Sequence, residues 1–478
     1  MQLTQLINAG YDVPIEGLTA DSRQVRPGYL FAALPGSKVD GGDYINDALM
    51  HGASVILART GTKLPAGAKA TLIESDNPRK QLAHLASEFY QLQPDVIAAV
   101  TGTSGKTSTV TFTRQLWNLY GITQSASLGT LGVRGPNLAT SGSLTTPDTV
   151  SLHAALADLA AAEITHLAME ASSHGLDQHR LDGVRISAAG YTNLSRDHLD
   201  YHTDMESYFL AKARLFTEVL QRNGVAVINA DDEFGDRLAA LSAGAGHKVV
   251  TYGENGKDIR ILERTLVPSG QAVKLSVFGQ DYDVVIPLAG QFQVMNALCA
   301  LGLVLSGDGD AQSIVPLLAQ LSGVPGRLQL VPGHPEGAAV YVDYAHKPAA
   351  VEAVLNTLRP HTEGRLVCLI GCGGDRDAGK RPIMGRIASG LSDLVIVTDD
   401  NPRSENPANI RAAVMEGAPD ATEIGDRREA IEWAVAQLKK GDVLVIAGKG
   451  HEQGQIIGDK VEPFDDVKVT QESIEKLG

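Results

Sequence analysis

Apolar runs of strand length, each followed by a polar turn and a helix-period pattern, recur along most of this 478-residue chain. They predict strands at 29–34, 54–58, 96–100, 166–169, 186–191, 225–229, 339–343, 365–370, 394–398 and 443–447. Helical spacing of apolar positions marks 44–51, 78–90, 108–120, 208–220 and 293–305. Regular alternation of the two patterns favours mostly parallel sheets, interrupted between 259 and 288 by shorter strands that read as a β-ribbon. A Gly/Pro-rich break, Gly323-Val324-Pro325-Gly326-Arg327, precedes a second doubly wound pattern. The expectation is an α/β protein of three domains: a small N-terminal α/β domain at 1–88, a central domain at 89–325 and a doubly wound C-terminal domain at 326–478.

Several strands end in chemistry. The run at 96–100 leads through Thr101 into Gly102-Thr103-Ser104-Gly105-Lys106-Thr107-Ser108 and then a helix pattern. Backbone N–H groups of such a turn, aimed by a helix N-terminus, suit phosphate oxygens. Lys106 would reach terminal phosphates and the Thr107 hydroxyl a Mg²⁺ ion. The ordinary P-loop has a first glycine at the position of Val100, so the glycine spacing here is unusual. Two further strands deliver Glu170-Ala171-Ser172-Ser173-His174 and Thr192-Asn193-Leu194-Ser195-Arg196-Asp197-His198, at the sheet end where open α/β folds bind ligands. This makes Glu170 and His198 candidate metal or phosphate-side groups, although a single Glu or His there is ordinarily solvated or satisfied locally. Lys212 and Arg214 on one helix read, by themselves, as a solvated face. Asp21-Ser22-Arg23 reads as turn chemistry. In the C-terminal part, four strand ends carry polar clusters: Asp343-Tyr344-Ala345-His346, Gly371 to Asp377, Asp399 to Arg403, and Gly448-Lys449-Gly450-His451-Glu452. Such a concentration points to a site.

Composition narrows the class. Hydrophobic residues make up 43% and charged residues 20%, which is enough apolar mass for several cores. A net charge of −15 argues against a nucleic-acid or anionic-membrane surface. Cys299, Cys368 and Cys372 have no metal-ligand spacing and read as reduced thiols, Cys368 and Cys372 with a packing role in an apolar strand and the turn after it. Residues 1–10 lack a signal-peptide pattern and no run is long enough to span a membrane, so a cytoplasmic protein without membrane insertion is expected, with a monomer as the default.

Taken in order, the motifs resemble the Mur ligase family, the ATP-dependent amide-forming enzymes of peptidoglycan precursor synthesis. The similarity runs collinearly through Asp21-Ser22-Arg23, the loop at 101–107, Thr145-Thr146-Pro147, the segments 170–180 and 193–198, Lys212, Gly326-Arg327, 343–346, 400–403 and 448–452. The unusual glycine spacing is this family's own version of the loop. The resemblance implies an N-terminal domain holding a UDP group, a central P-loop ATPase with a mostly parallel sheet, and a Rossmann-like C-terminal domain for an incoming amino acid. It implies ATP and Mg²⁺ as cofactors, and an acyl phosphate formed on UDP-N-acetylmuramoyl-L-alanyl-D-glutamate and attacked by a diamino acid. A carboxylate resists attack by an amine, and the acyl phosphate supplies a leaving group. Since γ-phosphate and carboxylate are both anionic, cations must hold them together.

The matching positions follow residue by residue. Glu170 and His198 correspond to ligands of a second Mg²⁺, and Lys212 to a lysine that the family carbamylates, which reverses its solvated-face reading. With Lys106 these form the implied catalytic set, and Thr107, Glu170, His198 and Lys212 (as carbamate) the metal set. Gly102, Thr103, Ser104, Gly105, Lys106, Thr107, Ser108, Asn296, Arg327 and Asp343 would bind ATP. Gln293 stands where relatives often have Asn, so an adenine contact is not carried over to it, and Ser37 stands where some have His. Ser22, Thr145, Thr146, Ser172, Gln178 and Arg180 would hold the UDP-linked peptide. Asp400-Asn401-Pro402-Arg403 is similar to the signature of members that select meso-diaminopimelate over L-lysine. Arg403 and Arg376 would grip its distal carboxylate, Asp400 and Glu452 its ammonium, with Asn401, Pro402 and Gly448 completing the pocket. Rival readings are a sister ligase adding lysine or D-Ala-D-Ala, a folylpolyglutamate synthetase, which should lack the Asp-Ser-Arg domain, and a nucleotide-switch binding protein.

Overall fold

The computed structural model describes residues 13–36, 39–140, 144–199, 201–267, 270–307 and 309–477, so the expectations for residues 1–10 and for Ser37 lie outside the described residues. An N-terminal sheet comes first, its four parallel strands in chain order: Gly17–Thr19 (β1), Tyr29–Ala32 (β2), Val55–Arg59 (β3) and Thr71–Ser75 (β4). Only β2 and β3 were expected. They are the two interior strands, apolar and almost wholly buried, whereas β1 has three residues and β4 is half-exposed, so neither writes a long apolar run. The helix Pro78–Tyr90 has its expected bounds, with Pro at its first position and the Asn77 side chain accepting from Lys80 N–H. The expected helix at 44–51 is present as Ile45–Met50, preceded by a 3₁₀ turn at Gly41–Tyr44.

A second sheet has Val96–Thr101 (β5) at its centre, between His166–Glu170 (β9) and Ile186–Tyr191 (β10), both parallel to it. Ser125–Gly129 (β6) lies beyond β9, with the antiparallel hairpin Gly132–Gly135 (β7) and Leu138–Ala139 (β8) at that edge. Val225–Asn229 (β11) and Lys248–Gly253 (β12) follow on the other side, and the ribbon Ile259–Val267 (β13), Gly270–Val277 (β14), Gln280–Ile286 (β15) continues the same sheet. Its inner strands pack apolar side chains on both faces, as parallel strands covered by helices must. The helix expected at 208–220 starts earlier, at Met205, because Asp204 and Ser207 form a reciprocal cap, and after Arg214 the chain widens into a π-turn at Leu215–Val219.

A third sheet has the order β16 (Gln329–Val331), β17 (Ala339–Asp343), β21 (Val443–Ala447), β18 (Leu366–Ile370), β19 (Leu394–Val397), β20 (Thr422–Glu423), parallel apart from β16; a small antiparallel hairpin, Gly454–Ile457 (β22) and Lys460–Pro463 (β23), stands apart. Apolar clusters cover both its faces, confirming the doubly wound reading. Inside it, Arg427 and Asp466 are fully buried and joined by two hydrogen bonds of 2.7 Å. Arg427 also donates to Ala447 O at 3.1 Å and Asp399 O at 3.4 Å, bracing the ends of two strands. By compactness the chain forms two units, one of 1–262 with 274–282 and 295–318, the other of 263–273 with 283–294 and 319–478.

Candidate active site

The loop after β5 is held open by glycine. Gly105 (φ +86°) begins the helix Lys106–Leu119, and a Cβ there would lie 2.3 Å from Asn296 Oδ1. At Gly102 (φ +153°) a Cβ would lie 1.9 Å from Thr192 Oγ1. Both positions therefore exclude any side chain. The segment after β10 fixes the loop: Thr103 N–H donates to Asn193 O at 2.8 Å, Ser104 N–H to Asn193 Oδ1 at 3.0 Å, and Thr192 Oγ1 to Ser104 O at 2.6 Å. Two amides expected to cradle phosphate are thus engaged by Asn193, which leaves that task to the helix start. Thr107 and Ser108 lie in that first turn, both buried.

Lys106 folds back over its own loop, donating to Gly102 O at 2.8 Å and Thr103 O at 3.0 Å. Lys212, 2% exposed, donates to the same Gly102 O at 2.9 Å. Its ammonium lies 4.5 Å from the centre of the Tyr208 ring. Burial, and then the neighbouring positive charge of Lys106, push the Lys212 amine well below the ordinary lysine range, while Asp197 opposes them weakly. The solvated-face reading fails for both helix cations. Arg214 is only 12% exposed and donates twice to Asp182 at 2.8 Å, once to Glu218 at 2.9 Å, and to the Leu176 carbonyl.

From Lys212 a run of contacts leads around the same strand ends. Tyr208 OH is 3.2 Å from Thr103 Oγ1, and its ring lies 6.2 Å from that of His198, which has φ +52° and a ring 5.0 Å from His174. His174 packs at 4.1 Å on Tyr201, whose hydroxyl donates to Asp177 at 2.6 Å and accepts from Gln178 at 3.2 Å. Gln178 Oε1 receives Arg180, whose Nη1 donates to Thr146 O at 2.7 Å. Thr146 Oγ1 donates to Glu170 O at 2.9 Å and accepts Ser172 N–H at 2.9 Å. The Glu170 carboxylate, 1% exposed as a residue, accepts Thr130 N–H at 2.8 Å and Thr130 Oγ1 at 3.2 Å; Thr145 Oγ1 lies 3.2 Å from Thr130 Oγ1. Lys106, Lys212, His198, Glu170, Thr145, Thr146, Ser172, Gln178 and Arg180 thus belong to one connected rim. Ser22 does not. It is buried in the 3₁₀ turn after β1, where Asp21 accepts from Arg23, and no hydrogen bond among the described residues joins it to the rim. A cavity of about 510 Å³ beside that turn is lined by Thr19, Arg23, Arg26, Tyr29 and Ser151 and by none of the expected site residues.

In the other unit, the Gly326–Leu328 loop packs on the end of β21: a Cβ at Gly326 would sit 2.2 Å from His451 N. Asp343, buried at the end of β17, accepts Leu328 N–H at 2.7 Å, and burial raises its carboxyl despite the opposing charge of Arg327. Arg327 lies 4.9 Å from the centre of the Tyr344 ring, and Gln293 Nε2 donates to Arg327 O at 3.3 Å. Asp400 is buried against Gly448 (φ +119°), where a Cβ would meet Asp400 Oδ2 at 2.6 Å. Pro402 is also buried, and Arg403 takes φ +50°, a conformation a β-carbon disfavours. That turn is held by Arg403 N–H to Ile456 O at 3.0 Å and Gly458 N–H to Arg403 O at 2.8 Å, and the guanidinium donates to Gly374 O at 2.9 Å. Arg376 is exposed on the neighbouring loop, bonded to Asp375 O at 3.1 Å. Asn401 donates to Glu452 Oε2 at 2.9 Å, so the Asn-Pro-Arg turn and the Glu452 loop meet.

Sequence reasoning passed over Tyr208 and Thr130, which no motif singles out, and left His174 and Lys449 without a role inside their clusters. The two cysteines of this unit and Cys299 are buried free thiols, with burial raising Cys368 and Cys299 to about 12 and Cys372 to about 11. The packing reading stands.

Family comparisons cover most of the chain: the Mur ligase family catalytic domain matches residues 14–90, the Mur ligase middle domain 100–304 and the Mur ligase glutamate ligase domain 326–450. A UDP-N-acetylmuramoyl-L-alanyl-D-glutamate–2,6-diaminopimelate ligase of Rhizobium meliloti (strain 1021) is 53% identical over 462 residues, 97% of this chain and 94% of its own length. A solved structure of a ligase with the same name aligns with TM-score 0.74 at 35% identity, covering 100% of this chain and 99% of the other. The fold is shared more distantly by a Mycobacterium tuberculosis folylpolyglutamate synthase complexed with ADP, with TM-score 0.62 and 22% identity over 77% of this chain and 91% of that one. Three matched domains in order, nearly full-length identity above half, and the loop with its two converging lysines lead to one conclusion: the chain belongs to the Mur ligase family.

Proposed function

We propose that this protein joins meso-diaminopimelate to UDP-N-acetylmuramoyl-L-alanyl-D-glutamate, using ATP, in peptidoglycan precursor synthesis. The observation that carries the reading is the convergence of Lys106 and Lys212 on one carbonyl, Gly102 O, at the start of a phosphate-type loop. The Lys106 cation at a helix start makes a place where phosphate oxygens are welcome, with the Lys212 amine beside it. The names of the relatives at about half identity support the same reaction.

In this mechanism the γ-phosphoryl group passes from ATP to a glutamyl carboxylate oxygen. The bond to the leaving ADP oxygen breaks as the new P–O bond forms. Diaminopimelate's amine then attacks the acyl carbon, loses a proton, and expels inorganic phosphate as the C–N bond forms. Lys106 exchanges its loop carbonyls for phosphate oxygens. Lys212, its amine pushed toward the neutral form by burial and by Lys106, would add to CO₂ through nitrogen and release a proton, becoming an oxygen anion. Among the described residues no three His, Cys, Asp or Glu cluster as metal ligands, and a carbamate on Lys212 would add an oxygen ligand of the kind a hard cation takes. Mg²⁺ held by Thr107, Glu170, His198 and carboxylated Lys212 would supply positive charge between the two anions.

The remaining assignments belong to the same proposal. Gly102 to Ser108, Asn296, Arg327 and Asp343 bind ATP; Ser22, Thr145, Thr146, Ser172, Gln178 and Arg180 bind the UDP-linked peptide. Arg376, Asp400, Asn401, Pro402, Arg403, Gly448 and Glu452 bind diaminopimelate, within domains bounded at 1–88, 89–325 and 326–478. Phosphate release from ATP and the UDP-linked dipeptide, with meso-diaminopimelate, L-lysine or no amine, tests the reaction. Release should require diaminopimelate. Equal rates with lysine would make the protein a lysine-adding relative, and release without amine a slow nucleotide hydrolase. The same assay in CO₂-stripped buffer should slow and recover with bicarbonate; no change would remove Lys212 from the metal set.

A further inference from the structure

Lys449 is buried without exposed surface, yet every proton of its ammonium has an acceptor. It donates to Asn401 Oδ1 at 3.1 Å, Glu452 Oε2 at 3.1 Å and Gly454 O at 2.6 Å. Asn401 Oδ1 also accepts Ile456 N–H at 2.9 Å, and Asn401 Nδ2 donates to the Glu452 oxygen that Lys449 holds. One ammonium therefore ties together the turn after β19, the loop after β21 and the strand Gly454–Ile457. That strand accepts the backbone of Arg403 and helps hold its φ of +50°.

We infer that Lys449 is a positioning residue for amine recognition: it sets the side chains of Asn401 and Glu452 and, through the Ile456 strand, the direction of Arg403, without touching the amino acid itself. The inference rests on the proposed diaminopimelate reading. Anchoring Glu452 is the second part of the role. Lys449 holds one oxygen of the carboxylate that is to receive the ammonium, and without that charge-assisted bond the carboxylate loses its fixed direction.

The test is Lys449→Met, with Lys449→Gln, which keeps a donor, as the second variant. In steady-state assays on the full-length protein the KM for meso-diaminopimelate should rise about tenfold or more in Lys449→Met, and less in Lys449→Gln. The KM values for ATP and the UDP-linked dipeptide should stay within about twofold, and so should acyl-phosphate formation without amine, trapped by hydroxylamine. In a Glu452→Gln background the Lys449→Met effect on that KM should shrink, because the carboxylate it anchors is gone. An unchanged diaminopimelate KM, an equal rise in all three KM values, an undiminished effect in Glu452→Gln, or unfolding of both variants would each overturn the assignment. Failure of the function reading itself has a separate signature: no diaminopimelate-dependent phosphate release by the wild-type protein.

Discussion

Lys212 and Lys449 are both withdrawn from water, one in each compact unit, and are held in opposite ways. Lys449 has a carboxylate, an amide and a carbonyl as acceptors. Lys212 has the Gly102 carbonyl, an aromatic face and a second lysine nearby. A buried charge with complete partners is a brace, since any movement would break several charge-assisted bonds at once. One with repelling company is under pressure to lose its proton, and a neutral amine is a nucleophile. The difference teaches that burial alone does not tell a structural lysine from a reactive one. Partner count and the sign of the nearest charge do.

Removing the loop cation should have the largest effect. Lys106→Met should reduce phosphate release by about a thousandfold or more, because a transition state with spread negative charge loses its nearest counter-charge. It should also relieve the repulsion on Lys212 and raise that amine's pKa, which NMR titration of the labelled ε-amine can follow. A variant with ordinary turnover would break the comparison at its root. Next comes Arg403→Ala, expected to lower kcat/KM for diaminopimelate by about a hundredfold while ATP affinity, measured by calorimetry, moves less than about twofold. Equal losses for both ligands would mean that the two regions do not divide the work as argued.

A smaller effect sharpens the contrast through a third buried base. His153 is kept neutral by burial, which lowers its pKa from 6.5 to about 4, while its Nε2 lies 3.1 Å from Asp182 O. Between pH 6.5 and 4 the unfolded chain takes up a proton that the folded chain refuses. The sign is therefore a loss of stability as pH falls through that window, reaching ~3 kcal/mol at its lower end at about 1.36 kcal/mol per pH unit. Urea unfolding at pH 7 and pH 5 should show part of this fall, and His153→Gln should show less of it.

How much of this could be read from residues in order depended on how locally each feature is written. The interior strands, such as β5, β10, β11, β17 and β21, were legible because a parallel strand covered on both faces is a continuous apolar run. The edge strands β1 and β4 were not, since β1 is only three residues long and the half-exposed β4 has no such run. The helix at Met205–Arg214 was placed three residues late because its start is signalled by side-chain reciprocity between Asp204 and Ser207, not by hydrophobic period. Within the site, the loop at 102–108 and the Asp-Asn-Pro-Arg turn were plain from their order and residue types. Tyr208 and Thr130 were invisible, because what matters about each is what lies opposite it across strands far apart in the chain.

By itself the sequence determined the α/β class, the phosphate loop, the family and the set of strand ends that carry polar residues, since all of these follow from local order and period. Only the tertiary structure decided that Lys212 and Arg214, two positions apart on one helix, have different fates: one over the Gly102 carbonyl beside Lys106, the other clamped to Asp182. Spacing along a helix says which way a side chain starts out. What charge and what dielectric it meets is set by segments about a hundred residues away, and those contacts exist only once the sheet has closed.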